Sequence, residues 1–303
     1  MNPSTPHKRI NMALTIDFES VIKSLDDDGY AIVPNIISPD VIGYCKTEYE
    51  IWKARIPNYD EFHDKCDPHG IHKYFGAGHT KFAWCLRTNP NVQNVFKRIW
   101  NTDELIVSYD GSCYIGKDLA KKDKCWTHTD QCPTSFEREC IQGFVALTSN
   151  EERSLVVYKG SHKLYREHFE GKANTGGNFL RLDLDYLETI KDRRTVLKVP
   201  AGALVLWDSR VYHQNQYGKP GSEERLVQYV SFLPKNHPKN TPSKISKRLK
   251  YLKERRTTSH WAAPIRVNPL QPRTWGNERL IIDYEAFGKE NLDEYMDEIM
   301  KII

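Results

Sequence analysis

Along this chain the apolar positions change rhythm twice. Residues 17–28 (DFESVIKSLDDD) space them for one face of a helix, with Gly29 as the stop signal. Tyr30–Pro34 reads as a short strand. Ser38-Pro39-Asp40 then offers a cap with proline in the first turn, opening a helix to about Arg55. Asn89-Pro90 caps another, through Trp100. From residue 105 the apolar residues fall into short, dense, β-branched and aromatic runs: LIVSYD (105–110), IQGFVALT (141–148), LVVY (155–158), NFLRL (178–182), TVLKV (195–199), ALVLW (203–207) and RLVQYVSFL (225–233). Helical spacing returns at 182–192, 242–256 and 291–303. This order predicts a mainly β protein with flanking helices, its strands forming a sandwich or jelly roll. One composite domain is expected: a helical and lid segment over 1–104, a β-core over 105–235 and a helical extension over 236–303.

Composition narrows the classes. Among 303 residues, 44 Lys plus Arg against 40 Asp plus Glu give a net charge of +4, too small an excess for a protein that coats nucleic acid. Mean hydropathy is −0.65, and no apolar run approaches the roughly 18 residues that span a membrane. The opening MNPSTPHKRINMA lacks the apolar centre of a secretory signal, and the closing KII is not a peroxisomal address, so a cytoplasmic enzyme is expected. Seven cysteines, an odd set with no C-x-x-C pair, read as reduced thiols rather than a disulfide frame or a zinc ribbon.

The candidate chemistry centres on WTHTDQ, where His128 and Asp130 stand at i, i+2 and so share one side of a strand. Alone, that triplet is equally a polar surface turn. Its context adds His213, just after the strong strand in PAGALVLWDSRVYHQN, and Arg225, opening the next strand. Two histidines and a carboxylate hold iron on one face and leave positions open for oxygen chemistry. An arginine suits a dicarboxylic cosubstrate, because its planar fork binds carboxylate bidentately and keeps its charge when buried. The stretch 56–82, rich in His, Pro, Gly and Asp, reads as a long irregular loop and a lid. Its His63, His69, His72 and His79 are irregularly spaced, which favours solvated loop residues over a second metal site. Lys73, Lys81, Trp84 and Arg87 are candidates to meet an anionic substrate. In the extension, Ile245, Leu249 and Leu252 share a helix face otherwise crowded with Lys and Arg, as in a solvated helix packed on the barrel; a nucleic-acid or membrane contact is the alternative. His260-Trp261 and Trp275 point to a segment that docks on the core.

Across about 25–235 the chain resembles the phytanoyl-CoA dioxygenase-like family. DGYAIVPNIISPDVI is similar to its N-terminal segment and WTHTD to its metal motif. LVVYKGSH resembles its mid-barrel G-S-H turn, in which His162 reads as structural. PAGALVLWDSRVYHQN resembles the segment with the distal histidine, and ERLVQYVSF the strand with the cosubstrate arginine. The resemblance implies a double-stranded β-helix (a cupin-like jelly roll), with iron(II), 2-oxoglutarate and dioxygen consumed and succinate and carbon dioxide released. By position it implies metal ligation by His128, Asp130 and His213 and a 2-oxoglutarate contact by Arg225. Tyr114, Thr148 and Asn215 are further candidates for the cosubstrate, with barrel packing the alternative for each; Asn215 departs from the small hydroxyl residue common there. The expected reaction is hydroxylation of a C–H bond in a small-molecule substrate, with no membrane partner. Modification of a protein side chain or nucleic-acid base, a non-catalytic jelly-roll binder, and a cupin-like metalloenzyme without 2-oxoglutarate are the alternatives; Arg225 speaks against the last.

Overall fold

The computed structural model describes residues 15–172 and 177–303; the N-terminal stretch read above for a leader lies outside them. The helical layer comes first. Helix α1 (Phe18–Asp27) is capped by Asp17, whose side chain accepts from Ser20 N–H, and ends at Gly29. Only glycine fits there: φ is +82°, and a Cβ would meet His162 and Val211 at 2.5 Å. Strand β1 (Tyr30–Val33) follows, then α2 (Pro39–Ala54), capped by Ser38 with proline at its start.

The stretch 56–82 is not the irregular loop expected. It folds α3 (Tyr59–Cys66) and two 3-10 turns, and α4 (Lys81–Arg87) follows directly. Both helices are short: α3 buries only Phe62 and Cys66, and α4 is buried from Phe82 to Arg87, so neither shows a clear apolar periodicity. Helix α5 (Pro90–Trp100) starts at its Asn89 cap and stops at Asn101, which takes φ +49°.

The β-core comprises β2 (Leu105–Val107), β3 (Ser112–Ile115), β4 (His128–Thr129), β5 (Ile141–Ala146), β6 (Leu155–Tyr158), β7 (Leu180–Arg181), β8 (Arg194–Val196), β9 (Leu204–Asp208), β10 (His213–Asn215) and β11 (Arg225–Pro234). Two short helices, α6 (Tyr165–Phe169) and α7 (Leu184–Thr189), sit in the connections. One antiparallel sheet orders its strands β1-β9-β5-β11-β2, with β3 also on β11; the other orders them β7-β4-β10-β6-β8. This is the antiparallel jelly-roll architecture with flanking helices that the apolar pattern predicts. The larger sheet is covered on both faces, so β5 and β9 are buried at every position. Phe144, Ala146, Trp207 and Val227 face inward between the sheets, while Val145, Leu206 and Phe232 pack on Trp84, Val92 and Phe96 of the helical layer.

The extension holds α8 (Pro242–Glu254), α9 (Tyr284–Phe287) and α10 (Met296–Lys301). On α8 the buried residues are Arg248 and Leu252, whereas Ile245 and Leu249 are 36% and 41% exposed. The expected apolar face is thus displaced: Arg248 turns inward because its guanidinium finds the Ala262 carbonyl at 2.7 Å and Asn240 Oδ1 at 3.0 Å. Trp261 docks as expected at 1% exposure, but Trp275 stays in solvent at 67%. No helix among the described residues is long and apolar enough to cross a membrane.

Candidate metal centre and its cavity

Strands β4 and β10 pair so that His128 and His213 stand directly opposite each other, their rings 4.4 Å apart. Gln214 fastens this pairing, because its Oε1 accepts from Trp126 N–H and from the Thr127 hydroxyl. Asp130 leaves β4 with its own N–H on the Ser209 carbonyl at 2.9 Å, and its Oδ2 comes to 3.4 Å from His128 Nε2 and 3.2 Å from His213 Nε2. The structure therefore brings the three candidate ligands together, all buried.

The proton positions follow from the partners. Nδ1 of His128 donates to the Trp126 carbonyl at 3.1 Å, and Nδ1 of His213 to that of Val211 at 2.9 Å. A carbonyl only accepts, so each neutral ring turns a lone pair, on Nε2, toward Asp130. Burial disfavours a charged His128. Burial would also raise the Asp130 carboxyl, so it is held well below the usual carboxylate range only by positive charge among the imidazoles of His128, His260 and His213, on the rings themselves or on a cation between them. Two imidazole lone pairs and a carboxylate converging on one point repel unless a cation lies among them. The donor set fits iron(II). The same Asp130 Oδ2 also accepts from Gln142 Nε2 at 3.0 Å, the kind of support that orients a ligating carboxylate.

These residues open into a cavity of about 520 Å³ between the sheets. Trp207 and Gln142 of the larger sheet form its back, and Asn215 and Tyr229, joined by a 2.8 Å hydrogen bond, form its floor. Beyond that floor lies Arg225, wholly buried beside Cys113 and over the Phe144 ring. Its Nη1 reaches the Arg153 carbonyl at 3.4 Å, while Nε and Nη2 have no partner. A buried guanidinium with an unfilled edge fits a carboxylate ligand.

The other candidates for the cosubstrate separate. Asn215 lines the cavity. Tyr114 does not: it stands opposite Leu226 on the outer face of β3, its ring among Tyr49, Tyr59 and His63 and its hydroxyl on Glu224 at 3.2 Å. Thr148 is also away from the cavity, its hydroxyl accepting from Leu226 N–H at 2.8 Å and donating to Asn150 Oδ1. Of the candidates for a substrate anion, Lys73 lines the cavity, whereas Trp84 is in the core and Arg87 donates to the carbonyls of Gly78 and Asp110. His162 ties the end of α1 through the Asp26 carbonyl at 3.0 Å.

The lid histidines are not solvated: His72 and His79 are buried, and His69 stacks on Trp126 at 3.7 Å, which stacks in turn on His128 at 4.7 Å. Several lining residues carried no sequence signal for the cavity, although the sequence points to His260-Trp261 docking on the core. Thr258, Ser259, His260, Trp261, Arg266 and Asn268 close the cavity from the extension. They arrive through long-range pairing, such as Tyr109 N–H on Thr258 Oγ1 at 3.0 Å. Burial pushes the His260 imidazole down to about 4, and its Nε2 has no partner.

Comparison with known proteins gives the family. Residues 25–216 match the family model of phytanoyl-CoA dioxygenase (PhyH). The chain is 31% identical to Ava biosynthesis cluster protein O of Aspergillus versicolor over 238 residues, covering 69% of this chain and 75% of that protein. It is 23% identical to a putative phytanoyl-CoA dioxygenase of Dictyostelium discoideum over 191 residues, covering 49% and 52%. Among solved structures, the GlcNAc Inducible Gene 2 protein of Candida albicans aligns with a TM-score of 0.62 at 15% identity, over 94% of this chain and 76% of that one. The epimerase SnoN, in complex with Fe3+, alpha ketoglutarate and nogalamycin RO, aligns with a TM-score of 0.50 at 15% identity, over 72% and 83%. At such identities these two likenesses show the fold.

Proposed function

The chain belongs to the phytanoyl-CoA dioxygenase family, and from that premise we propose that it hydroxylates a C–H bond of a small organic molecule, with His128, Asp130 and His213 holding iron(II) and Arg225 holding 2-oxoglutarate. Membership makes it a non-haem iron, 2-oxoglutarate-dependent enzyme. The observation that carries the residue assignment is the pairing of a buried His-Asp-His face with a buried guanidinium whose Nε and Nη2 lack partners. Iron(II), 2-oxoglutarate and dioxygen together supply an oxidant able to take hydrogen from unactivated carbon, with succinate and carbon dioxide released.

The chain's own residues do the rest. Arg225 supplies a fixed, desolvated fork for a carboxylate, and Asn215 and Tyr229 lie between it and the metal triad. His69, Trp126 and Phe179 stack about His128 and keep water from the ligand. A cavity of about 520 Å³ is of the size that takes a small molecule. Lys73, Arg181 and Arg266 line it with no ion-pair partner among the described residues, which favours a substrate with an anionic group beside an apolar body. Stereochemical inversion, the reaction named for SnoN, is the second outcome for this kind of centre.

Anaerobic addition of 2-oxoglutarate to iron-loaded protein should raise the visible charge-transfer band of the chelate. Folded, iron-loaded protein without that band would refute the assignment. Succinate release above the uncoupled background, scored for carboxylic acids against their methyl esters, identifies the substrate. Labelled dioxygen then separates the two outcomes: hydroxylation adds one oxygen atom to the product, and inversion leaves its mass unchanged.

A further inference from the structure

The lid segment repeats the chemistry of the iron centre. Helix α3 places His63 and Asp67 at i, i+4, with His63 Nδ1 2.9 Å from Asp67 Oδ2. The chain then turns back so that His72 Nε2 lies 3.9 Å from the same oxygen. One donor atom from each of the three falls within 4.8 Å of the others, the same bound met by His128, Asp130 and His213. Asp67 and His72 are buried and His63 is nearly so.

The hydrogen-bond partners are informative. His63 Nε2 is 3.0 Å from the Tyr114 carbonyl, which only accepts, so Nε2 carries the hydrogen. A neutral His63 then points the Nδ1 lone pair at the Asp67 carboxylate from 2.9 Å. That is the arrangement of His128 and His213: one ring nitrogen fixed by a backbone carbonyl, the other lone pair aimed at a buried carboxylate, as metal-ligating histidines are held. His72 Nδ1 lies 3.1 Å from Ser112 Oγ, a hydroxyl able to accept its hydrogen and leave Nε2 as the lone-pair nitrogen. Either a proton or a cation must sit between His63 and Asp67. A proton puts an imidazolium against the His72 ring, stacked 4.6 Å away. A divalent cation satisfies all three side chains at once. The Tyr59 hydroxyl bonds His72 Nε2 at 2.9 Å, so a bound cation would take its place on that nitrogen, with the phenol oxygen close enough to join the ligands.

We propose that His63, Asp67 and His72 form a second metal site that binds a divalent transition cation, zinc by its donor set. Two imidazole nitrogens, one carboxylate oxygen and a fourth oxygen from tyrosine or water suit four-coordinate zinc. The bound cation joins α3 to the segment that supplies His69, Ile71, His72 and Lys73 to the iron cavity. It therefore fixes that wall, a structural role independent of how the iron centre is used.

The test counts metal. The full chain is loaded anaerobically with iron(II) and 2-oxoglutarate, and zinc chloride is titrated in, with bound metal measured by mass spectrometry after gel filtration. One zinc per chain should be retained beside the iron, with the charge-transfer band unchanged. Asp67→Asn and, separately, His63→Gln should each lose that zinc, at least tenfold in affinity, while keeping iron and the band. Failure of the unmodified, iron-loaded chain to retain zinc overturns the proposal and leaves a protonated His63–Asp67 pair. Equal zinc binding by the parent and by folded variants overturns it as well. Because the band reports the iron centre independently, either result leaves the reading of that centre intact.

Discussion

Gln142 holds one oxygen of Asp130 through an amide hydrogen bond of 3.0 Å, and nothing in the sequence around either residue announces the pairing. It is the packing of the two sheets that brings β5 behind β4. Replacement Gln142→Leu removes the donor and leaves the carboxylate free to turn. Iron affinity should fall roughly 10- to 100-fold, the usual cost of losing an outer partner of a metal ligand. A competing-chelator titration measures it, and an unchanged affinity would mean that the β4 backbone alone orients Asp130. Arg225 is the complementary case. Its Nε and Nη2 have no partner in a site of zero exposure. Arg225→Ala should weaken 2-oxoglutarate by on the order of 2–5 kcal/mol, because a carboxylate would then be buried unpaired, while iron affinity is kept. Titrating 2-oxoglutarate into the iron-loaded variant and watching the charge-transfer band checks this; parent-like binding would show that another cation holds the cosubstrate. The residue scale also shows what plain alternation already tells. Cys113 and Ile115 point into the barrel, and Arg225 stands opposite Ile115, so Tyr114 between them must face out.

At the scale of elements, the strands with both faces covered were legible because they are dense in apolar residues: β5, β6, β9 and β11 lie within or nearly within the predicted runs. Helix α3 was not legible. Only Phe62 and Cys66 are buried on it, and its other working positions are His63 and the capping Asp67, which read as loop chemistry. The joint between β9 and α1 is a further element-level device built on charge. Asp208, fully buried at the end of β9, accepts from Arg210 at 2.7 Å and from Arg138 at 2.9 Å, and Arg138 reaches on to Asp26 of α1 at 2.7 Å. Burial alone would raise the Asp208 carboxyl, but the two guanidiniums hold it below its ordinary 3.8. A carboxyl depressed in the fold stabilises it above the unfolded value and loses that contribution as pH falls through the folded one. Asp208→Asn should therefore cost on the order of 1–3 kcal/mol between about pH 5 and 8, since it removes the buried charge that both guanidiniums share, although Arg138 keeps Asp26 and Arg210 keeps the Phe136 carbonyl. The gap to the parent should close as the pH is lowered below about 4. Denaturant melts across that range decide it; a gap that widens in acid would contradict the sign.

For the whole molecule, the decisive fact is how the extension is attached. Tyr295 meets the Tyr44 hydroxyl at 2.8 Å, Arg55 meets Glu290 at 2.6 Å, Arg279 meets Glu61 at 3.0 Å, and the Val107 N–H donates to the Ile302 carbonyl at 3.0 Å. Through the lid, Gly78 N–H binds Thr257 Oγ1 at 3.0 Å. Each contact spans well over a hundred residues of sequence, so no local pattern could have revealed that residues 258–268 wall the iron cavity. Trp261 concentrates this attachment. At 1% exposure it packs with Ile106, Cys140 and Leu233, and it also lines the cavity. Trp261→Ala should cost about 3–5 kcal/mol, the range for emptying an aromatic site of this kind. Because the extension is bonded to the helical layer, the lid and the sheet alike, that loss should lower one cooperative transition rather than release the tail. The iron–2-oxoglutarate band should survive, since His128, Asp130, His213 and Arg225 are positioned by the strands, whereas succinate release coupled to substrate should fall. Calorimetry of the variant makes the distinction: a single peak at lower temperature is expected, and two resolved peaks would mean that the extension melts as a unit of its own.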